Sequence, residues 1–237
     1  MIGRSAIWHD VELGSYDADL RVWSELAAAA NGPILDLGAG TGRVAAHLAA
    51  NGHDLVALDT DPDLLAVLAE RDPTVRTVRG DARTFSLERS FSLVIAPMQL
   101  AHIVGGVAGR AAMLNQVHSH LTAGGVFAAA LTDPLEALEE RGDPFPLPDM
   151  GERDGWVYSS QPISVRHDNG SVVMERHRQA VSPTGEIEDE MVTIVLDVFS
   201  ADEFETEARG AGLEPIGRRP VPESRDHIGS TVVLCRR

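Results

Sequence analysis

Apolar residues recur at helical spacing between Asp17 and Ala30, with Leu20, Trp23, Leu26 and Ala27 on one side. Asn31-Gly32-Pro33 then closes that helix with a turn and a breaker. The short apolar run from Ile34 to Leu37 reads as a buried strand. It leads into Gly38-Ala39-Gly40-Thr41-Gly42, after which Val44, Ala45, Leu48 and Ala49 return to the helical period and Asn51-Gly52 ends it. Leu55 to Leu58 repeats the buried-strand signature, and Asp61-Pro62 opens a helix whose inner face is Leu64, Leu65 and Leu68. Further strands are expected at Val75 to Val78, Leu93 to Ala96 and Val126 to Leu131, with a helix at about Arg110 to Leu121. Strands alternating with helices predict an α/β fold with a mainly parallel, doubly wound sheet.

The pattern changes after Asp133. A Pro-rich connection, Asp143-Pro-Phe-Pro-Leu-Pro148, gives way to three strand-like runs at Trp156 to Arg166, Ser171 to Val181 and Ile187 to Val198. Asn169-Gly170 is a hairpin signal, and Ser182-Pro-Thr-Gly185 suits a turn with Gly in the left-handed position. The expectation is a three-stranded antiparallel insert. A three-residue loop at Pro183 to Gly185 would put Arg178 opposite Glu190, leaving Trp156, Tyr158, Glu175, His177, Met191 and Thr193 on the other face. Val192, Ile194, Leu196 and Val198 share one face that requires an apolar cover. Ala201 to Ala211 returns to a helix closed by Gly212, and Leu213 to Arg219 and Thr231 to Cys235 complete the strands.

Composition removes several classes of function. The 237 residues are 43% hydrophobic and 24% charged, as in folded globular proteins. Acidic residues outnumber basic ones, 36 to 20, so phosphate backbones and anionic headgroups are repelled and no nucleic-acid or membrane partner is expected. All the basic residues are Arg, which excludes a Schiff-base lysine, a P-loop lysine and a lysine general base. The single cysteine, Cys235, permits no intramolecular disulfide and no multi-cysteine metal site. Met1 to Asp10 lacks an apolar run, and no stretch reaches the ~20 apolar residues of a spanning helix, so a cytoplasmic protein is expected. His118 and His120 stand two apart on a helix and do not face one another, so no metal site is expected there.

Candidate chemistry gathers at the glycine loop. A dinucleotide fingerprint places a third Gly three positions after the second, and here that position is Arg43. Asp36 precedes the first Gly by two residues, where a carboxylate can meet an ammonium group. With Asp59 ending Leu-Val-Ala-Leu-Asp59-Thr60, Gly80-Asp81-Ala82 after the third strand and Ala96-Pro97-Met98 after the fourth, the stretch from Ile34 to Leu131 resembles the class I S-adenosylmethionine-dependent methyltransferases. The resemblance implies a Rossmann-like seven-stranded sheet with its last strand antiparallel. It also implies that Asp36 with Gly38, Ala39 and Gly40 holds the methionine part of S-adenosylmethionine, and that Asp59 and Thr60 meet the ribose. Asp81 and Ala82 would meet adenine, and Ala96 and Met98 would close over the sulfonium. Tyr16 matches an aromatic that lies across the pocket in many members. Taken singly, each acid could equally be a turn or helix-start residue.

The absences favour a small-molecule acceptor. There is no Asn/Asp-Pro-Pro-Tyr string after the fourth strand, no cysteine nucleophile there, and no lysine for a metal-dependent catechol enzyme. The insert is similar to that of glycine and amino-sugar N-methyltransferases. The expected organisation is therefore an N-terminal cap at 1–32, a cofactor domain at 33–133 and 199–237, and a linker and insert at 134–198 serving as lid, acceptor site and homodimer contact. The expected reaction is methyl transfer to an oxygen or nitrogen of a small molecule, releasing S-adenosylhomocysteine without a metal. The alternatives are a non-catalytic cofactor-binding or dimerisation module and a nicotinamide oxidoreductase. If a general base is used, His227, beside Asp226 and Glu223 in the last connection, is one candidate and His102 is the other.

Overall fold

The computed structural model describes residues 3–132, 147–224 and 227–237. The chain divides into two compact units, one made of residues 1–16 and 134–198, the other of 17–133 and 199–237.

The larger unit holds a seven-stranded sheet in the order β10-β11-β5-β4-β1-β2-β3. Its strands are β1 (Ile34–Leu37), β2 (Leu55–Asp59), β3 (Arg76–Arg79), β4 (Phe91–Ala96), β5 (Leu121–Thr132), β10 (Glu214–Val221) and β11 (Ser230–Arg236). β1 pairs in parallel with both β2 and β4, and β4 with β5, whereas β11 runs antiparallel to β5 and to β10. Alternate residues feed opposite faces, which explains why β1, β2 and β4 are apolar apart from Asp36, Asp59 and Ser92. Leu35, Leu37, Val56, Leu58, Val94 and Ala96 enter a core with Met113, Leu114 and Val117 of α6 (Gly106–His120) and Phe204 and Ala208 of α7 (Ala201–Gly210). Ile34, Leu55, Ala57, Leu93 and Ile95 enter another with Trp23 and Ala27 of α2 (Leu20–Ala29), Val44, Ala45 and Leu48 of α3 (Arg43–Ala50), and Leu68 of α4 (Pro62–Arg71).

Local signals set the helix ends. Asp61 caps α4, its Oδ1 accepting the Asp63 N–H at 2.8 Å, with Pro62 in the first turn. Ser200 and Glu203 form a capping box at the start of α7. Across this unit the buried Arg110 of α6 donates to both carboxylate oxygens of Glu207 on α7, at 2.7 and 2.8 Å. The Arg110 guanidinium lies 4.0 Å from the centroid of the Phe199 ring, which also stacks with the rings of His102 at 4.5 Å and Phe204 at 5.9 Å.

The smaller unit pairs α1 (Arg4–Leu13) with a four-stranded antiparallel sheet, β6-β7-β8-β9. β7 (Trp156–Asp168), β8 (Ser171–Val181) and β9 (Ile187–Asp197) are the expected strands, and Arg178 does stand opposite Glu190. Two corrections follow. The insert has a fourth strand, β6 (Asp149–Arg153), joined to β7 through Asp154-Gly155, both at positive φ. Trp156 and Tyr158 do not share a face with His177: Tyr158 pairs with Ala180, and a register shift between Pro162 and Ser164 inverts the parity beyond it. These aromatics instead pack with Trp8, Ile7 and Val11 of α1. The helix itself has no counterpart in the apolar pattern, and it takes residues 1–16 out of the expected 1–32 cap and into the insert's unit.

The Arg110–Glu207 pair yields the first prediction. Removing one partner strands the other charge in a largely buried setting, so Glu207→Ala is expected to lower unfolding free energy by about 3 kcal/mol. Replacing both, as Arg110→Met with Glu207→Leu, should recover most of that loss in a urea titration.

Candidate functional site

The parallel strands end along one edge of the sheet, the side on which open α/β sheets bind ligands. After β1 the chain turns through Gly38, Gly40 and Gly42 at φ +67°, +57° and +89°. A Cβ on Gly42 would stand 2.2 Å from Leu68 Cδ1, so only glycine allows α3 to start against α4. A Cβ on Gly38 would approach Leu100 Cδ1 to 3.2 Å. Ala39 is buried and donates its N–H to the Leu58 carbonyl at 3.0 Å. The loop is thus pinned to the end of β2, with Gly38 exposed and residues 39–42 buried.

Beneath it lies Asp36, only 1% exposed, and neither carboxylate oxygen accepts a hydrogen bond from the described residues. Burial pushes its carboxyl up to about 8; the Arg43 guanidinium works against this, the negative charges of Asp59 and Asp19 reinforce it, and the nearby Ala45 N–H, outside hydrogen-bond geometry, lowers it slightly. An orphaned acid of this kind in a native interior calls for a partner.

Asp59, at the end of β2, accepts the Gly40 N–H at 2.8 Å and the Asp61 N–H at 3.0 Å, so it ties the glycine loop to the start of α4. Two oxygens offer about four acceptor directions, which leaves capacity for further donors. Thr60 is exposed, with its carbonyl accepting from Arg79 Nε at 3.3 Å. Asp81 follows Gly80 and is held by Arg83, whose Nε and Nη2 reach its two oxygens at 2.9 and 2.6 Å while the Arg83 N–H donates at 2.8 Å. This fork holds the Asp81 carboxyl below the usual range. Ala82 and Ala96 are buried, and Met98 sits at φ +57°, a strained setting for a non-glycine residue beside the end of β4.

The two histidines differ. His102 is buried and its Nε2 accepts the Thr132 N–H at 3.1 Å, so that lone pair is taken and the ring ties α5 (Leu100–Ile103) to the end of β5. His227 lies in the β10–β11 connection, which the pairings Val221–Ser230 and Ser230–Thr132 bring to the same end as the site. Its N–H donates to Ser224 Oγ at 3.2 Å. Asp226 falls outside the described residues. Tyr16 is buried and belongs to the other unit. The described residues hold no cluster of three or more His, Cys, Asp or Glu arranged to bind a metal ion.

One residue the sequence left unmarked is Asp19, 2% exposed just before α2. Its carboxylate accepts both Arg43 Nη atoms, at 2.6 and 2.8 Å, and the Trp23 indole N–H at 2.8 Å. Arg43 therefore explains its own place: where a nicotinamide-type loop has its third glycine, this chain has a side chain that fastens α2 to the start of α3.

A model of the methyltransferase domain family matches residues 34–125. The chain is similar to dTDP-3-amino-3,4,6-trideoxy-alpha-D-glucopyranose N,N-dimethyltransferase of Streptomyces venezuelae, at 27% identity over 76% of this chain and 74% of the relative. Among solved structures, DesVI of Streptomyces venezuelae superposes with a TM-score of 0.75 at 21% identity, covering 98% of each chain. CalS10 with bound SAM, an amino pentose methyltransferase from Micromonospora echinaspora involved in calicheamicin biosynthesis, gives 0.73 at 24% identity over 98% of this chain and 97% of that one. At these identities the structures speak for the fold.

Asp36 makes the ligand-free protein sensitive to pH. The folded state keeps a proton that the unfolded chain releases above about pH 4, so this contribution to stability is present at low pH and is lost as pH rises through about 8. Melting temperatures of the wild type should fall over that window relative to Asp36→Asn, whose profile lacks this component. Parallel profiles for the two proteins would refute the raised carboxyl.

Proposed function

Since this chain is a class I S-adenosylmethionine-dependent methyltransferase, we propose that it methylates a nitrogen or oxygen of a small molecule, with the amino group of a sugar as the leading acceptor. The observation that carries the cofactor assignment is Asp36, a buried acid without a hydrogen bond beneath a glycine loop that a Cβ would obstruct. The choice of acceptor is supported by the amino-sugar dimethyltransferase, whose similarity extends well beyond the glycine-loop domain. S-adenosylmethionine, when bound, supplies a methyl group on a sulfonium centre and leaves as S-adenosylhomocysteine.

The residues divide the work by their chemistry. Asp36, Gly38, Ala39 and Gly40 receive the methionine ammonium and its chain, because an ammonium completes the buried carboxylate. Asp59 keeps free acceptor directions for two vicinal hydroxyls, with Thr60 beside it. Asp81 and Ala82 offer a carboxylate and a backbone N–H to adenine, and Arg83 fixes the Asp81 carboxylate in direction. Ala96 and Met98 border the reacting centre. The insert, residues 134–198, serves acceptor recognition and self-association. Methyl transfer leaves little covalent work to the protein, so alignment supplies most of the acceleration. His227 serves in this reading as the base that takes the proton of the acceptor, supported by its lying in the connection at the ligand end of the sheet. His102, with Nε2 engaged, positions the ends of α5 and β5.

Incubation with S-adenosylmethionine and a panel of nucleotide-linked amino sugars, simple amines and phenols should release S-adenosylhomocysteine, with a 14 Da product increment in mass spectra for the amino sugars. Release with phenols alone would overturn the nitrogen acceptor. Asp59→Ala is expected to weaken cofactor binding at least about ten-fold by calorimetry, because two hydroxyl donors lose a charged acceptor worth ~1.5–3 kcal/mol. His227→Asn should lower kcat by about 100-fold at unchanged cofactor affinity, in the range of a general base. If it loses less than about ten-fold, alignment alone accounts for the rate.

A further inference from the structure

At the start of α3, Arg43 lies within electrostatic range of two acids, Asp19 and Asp36, and its hydrogen-bonding fork goes to Asp19. Arg43 gives both Nη atoms to Asp19, while Asp36, buried within reach of the Arg43 charge, accepts no hydrogen bond from it or from any other described residue. Both side chains of the pair are largely enclosed, at 10% and 3% exposed. Asp19 is held in turn by the Trp23 indole N–H from α2, and Ser24 Oγ meets His47 Nε2 at 2.8 Å further along the same two helices. The guanidinium is therefore held on Asp19 by a two-point fork between largely enclosed partners, not by a flexible surface contact.

We propose that Asp19 and Arg43 are positioning residues for the cofactor site: Asp19 sequesters the Arg43 guanidinium and so keeps Asp36 open for the ammonium group of S-adenosylmethionine. The inference rests on the cofactor reading given above. A bidentate fork between planar groups is a far better partner for Arg than a shared contact, so Asp19 outcompetes Asp36 while both are charged. Remove the Asp19 charge and the guanidinium loses its preferred partner, whereas Asp36 remains a buried acid short of donors. The internal cation then competes with the ligand's ammonium for the same carboxylate. The charged groups around Asp36 are Arg43 from α3, Asp59 from the end of β2 and Asp19 from the turn before α2. Of these only Arg43 carries the sign that can replace an ammonium.

The test is calorimetric titration of S-adenosylmethionine into the wild type, Asp19→Asn, and the double variant Asp19→Asn with Arg43→Gln, each with its melting curve. Asn at position 19 keeps an acceptor for the Trp23 indole. The expected result is at least ten-fold weaker binding by Asp19→Asn at neutral pH, with recovery to within about three-fold of the wild type in the double variant. A merely structural clasp predicts that affinity follows the melting temperature across the three proteins, whereas the inference predicts the ten-fold loss in Asp19→Asn at temperatures where that variant is fully folded. Wild-type affinity in Asp19→Asn, or a double variant as weak as the single, overturns the inference while leaving the cofactor reading intact. A wild type that does not bind brings down the cofactor reading and this inference with it. Should Asp19→Asn fail to fold, the double variant alone decides, because a ten-fold loss there shows that Arg43 is needed at the site and not merely kept away from it.

Discussion

Burying a carboxylate without a donor costs several kcal/mol, and the chain places one at the centre of its main sheet. β1 is flanked by β2 and β4, with apolar helices on both faces, so water cannot solvate the end of the strand as it would an edge. The neighbouring acids are arranged so as not to share that burden. Asp59 is satisfied by two backbone N–H groups of the loops it joins, and Asp19 by a guanidinium and an indole. Among these described acids Asp36 is left incomplete, beside the glycine loop that follows β1. Stability and ligand binding therefore pull against each other at one residue, a familiar cost of preorganised sites.

The parallel half of the fold was legible because each signal there is local. Apolar runs of four to six residues, glycines that require positive φ and a Pro-containing helix start each act within a few positions, and the structure places β1, β2, β4 and α4 close to where those signals put them. The acids at strand ends could be found for the same reason. What could not be read was any partner distant in sequence. Asp19 stands 24 residues from Arg43 and Arg110 stands 97 from Glu207, and neither pair leaves a spacing that marks it. His102 illustrates the same limit, since its position after β4 fits a catalytic base as well as a tie to the Thr132 N–H, and only the hydrogen bond distinguishes them.

The insert failed differently. Its hairpins at Asn169-Gly170 and Gly185 are where turn chemistry puts them, and the register between β8 and β9 follows from loop length. The sequence did carry a further signal, Asp154-Gly155, the same kind of two-residue turn, but the strand before it, Asp149–Arg153, has no apolar alternation to draw attention. Facing was harder still. The register shift in β7 adds one residue against β8, and because side chains alternate sides, a single extra residue moves every later one to the opposite face. Trp156 and Tyr158 thus belong to the core under α1 and not to the face of His177 and Met191.

The absence of lysine gives these contacts a common physical form. Every side-chain cation is a planar fork, and the buried or half-buried acids Asp19, Glu12 and Glu207, with Asp81 at the surface, are each met by two guanidinium nitrogens. An ammonium could neutralise the same acids, but it would leave their direction free, whereas a fork fixes the plane and the orientation of both partners. Direction matters most where two acids compete for one cation, because a point charge midway between Asp19 and Asp36 would serve both poorly. A guanidinium must choose. That choice lets the chain keep a cation within Coulombic range of Asp36, holding its carboxyl lower than burial alone would put it, while reserving the hydrogen-bonding capacity of that carboxylate for a ligand.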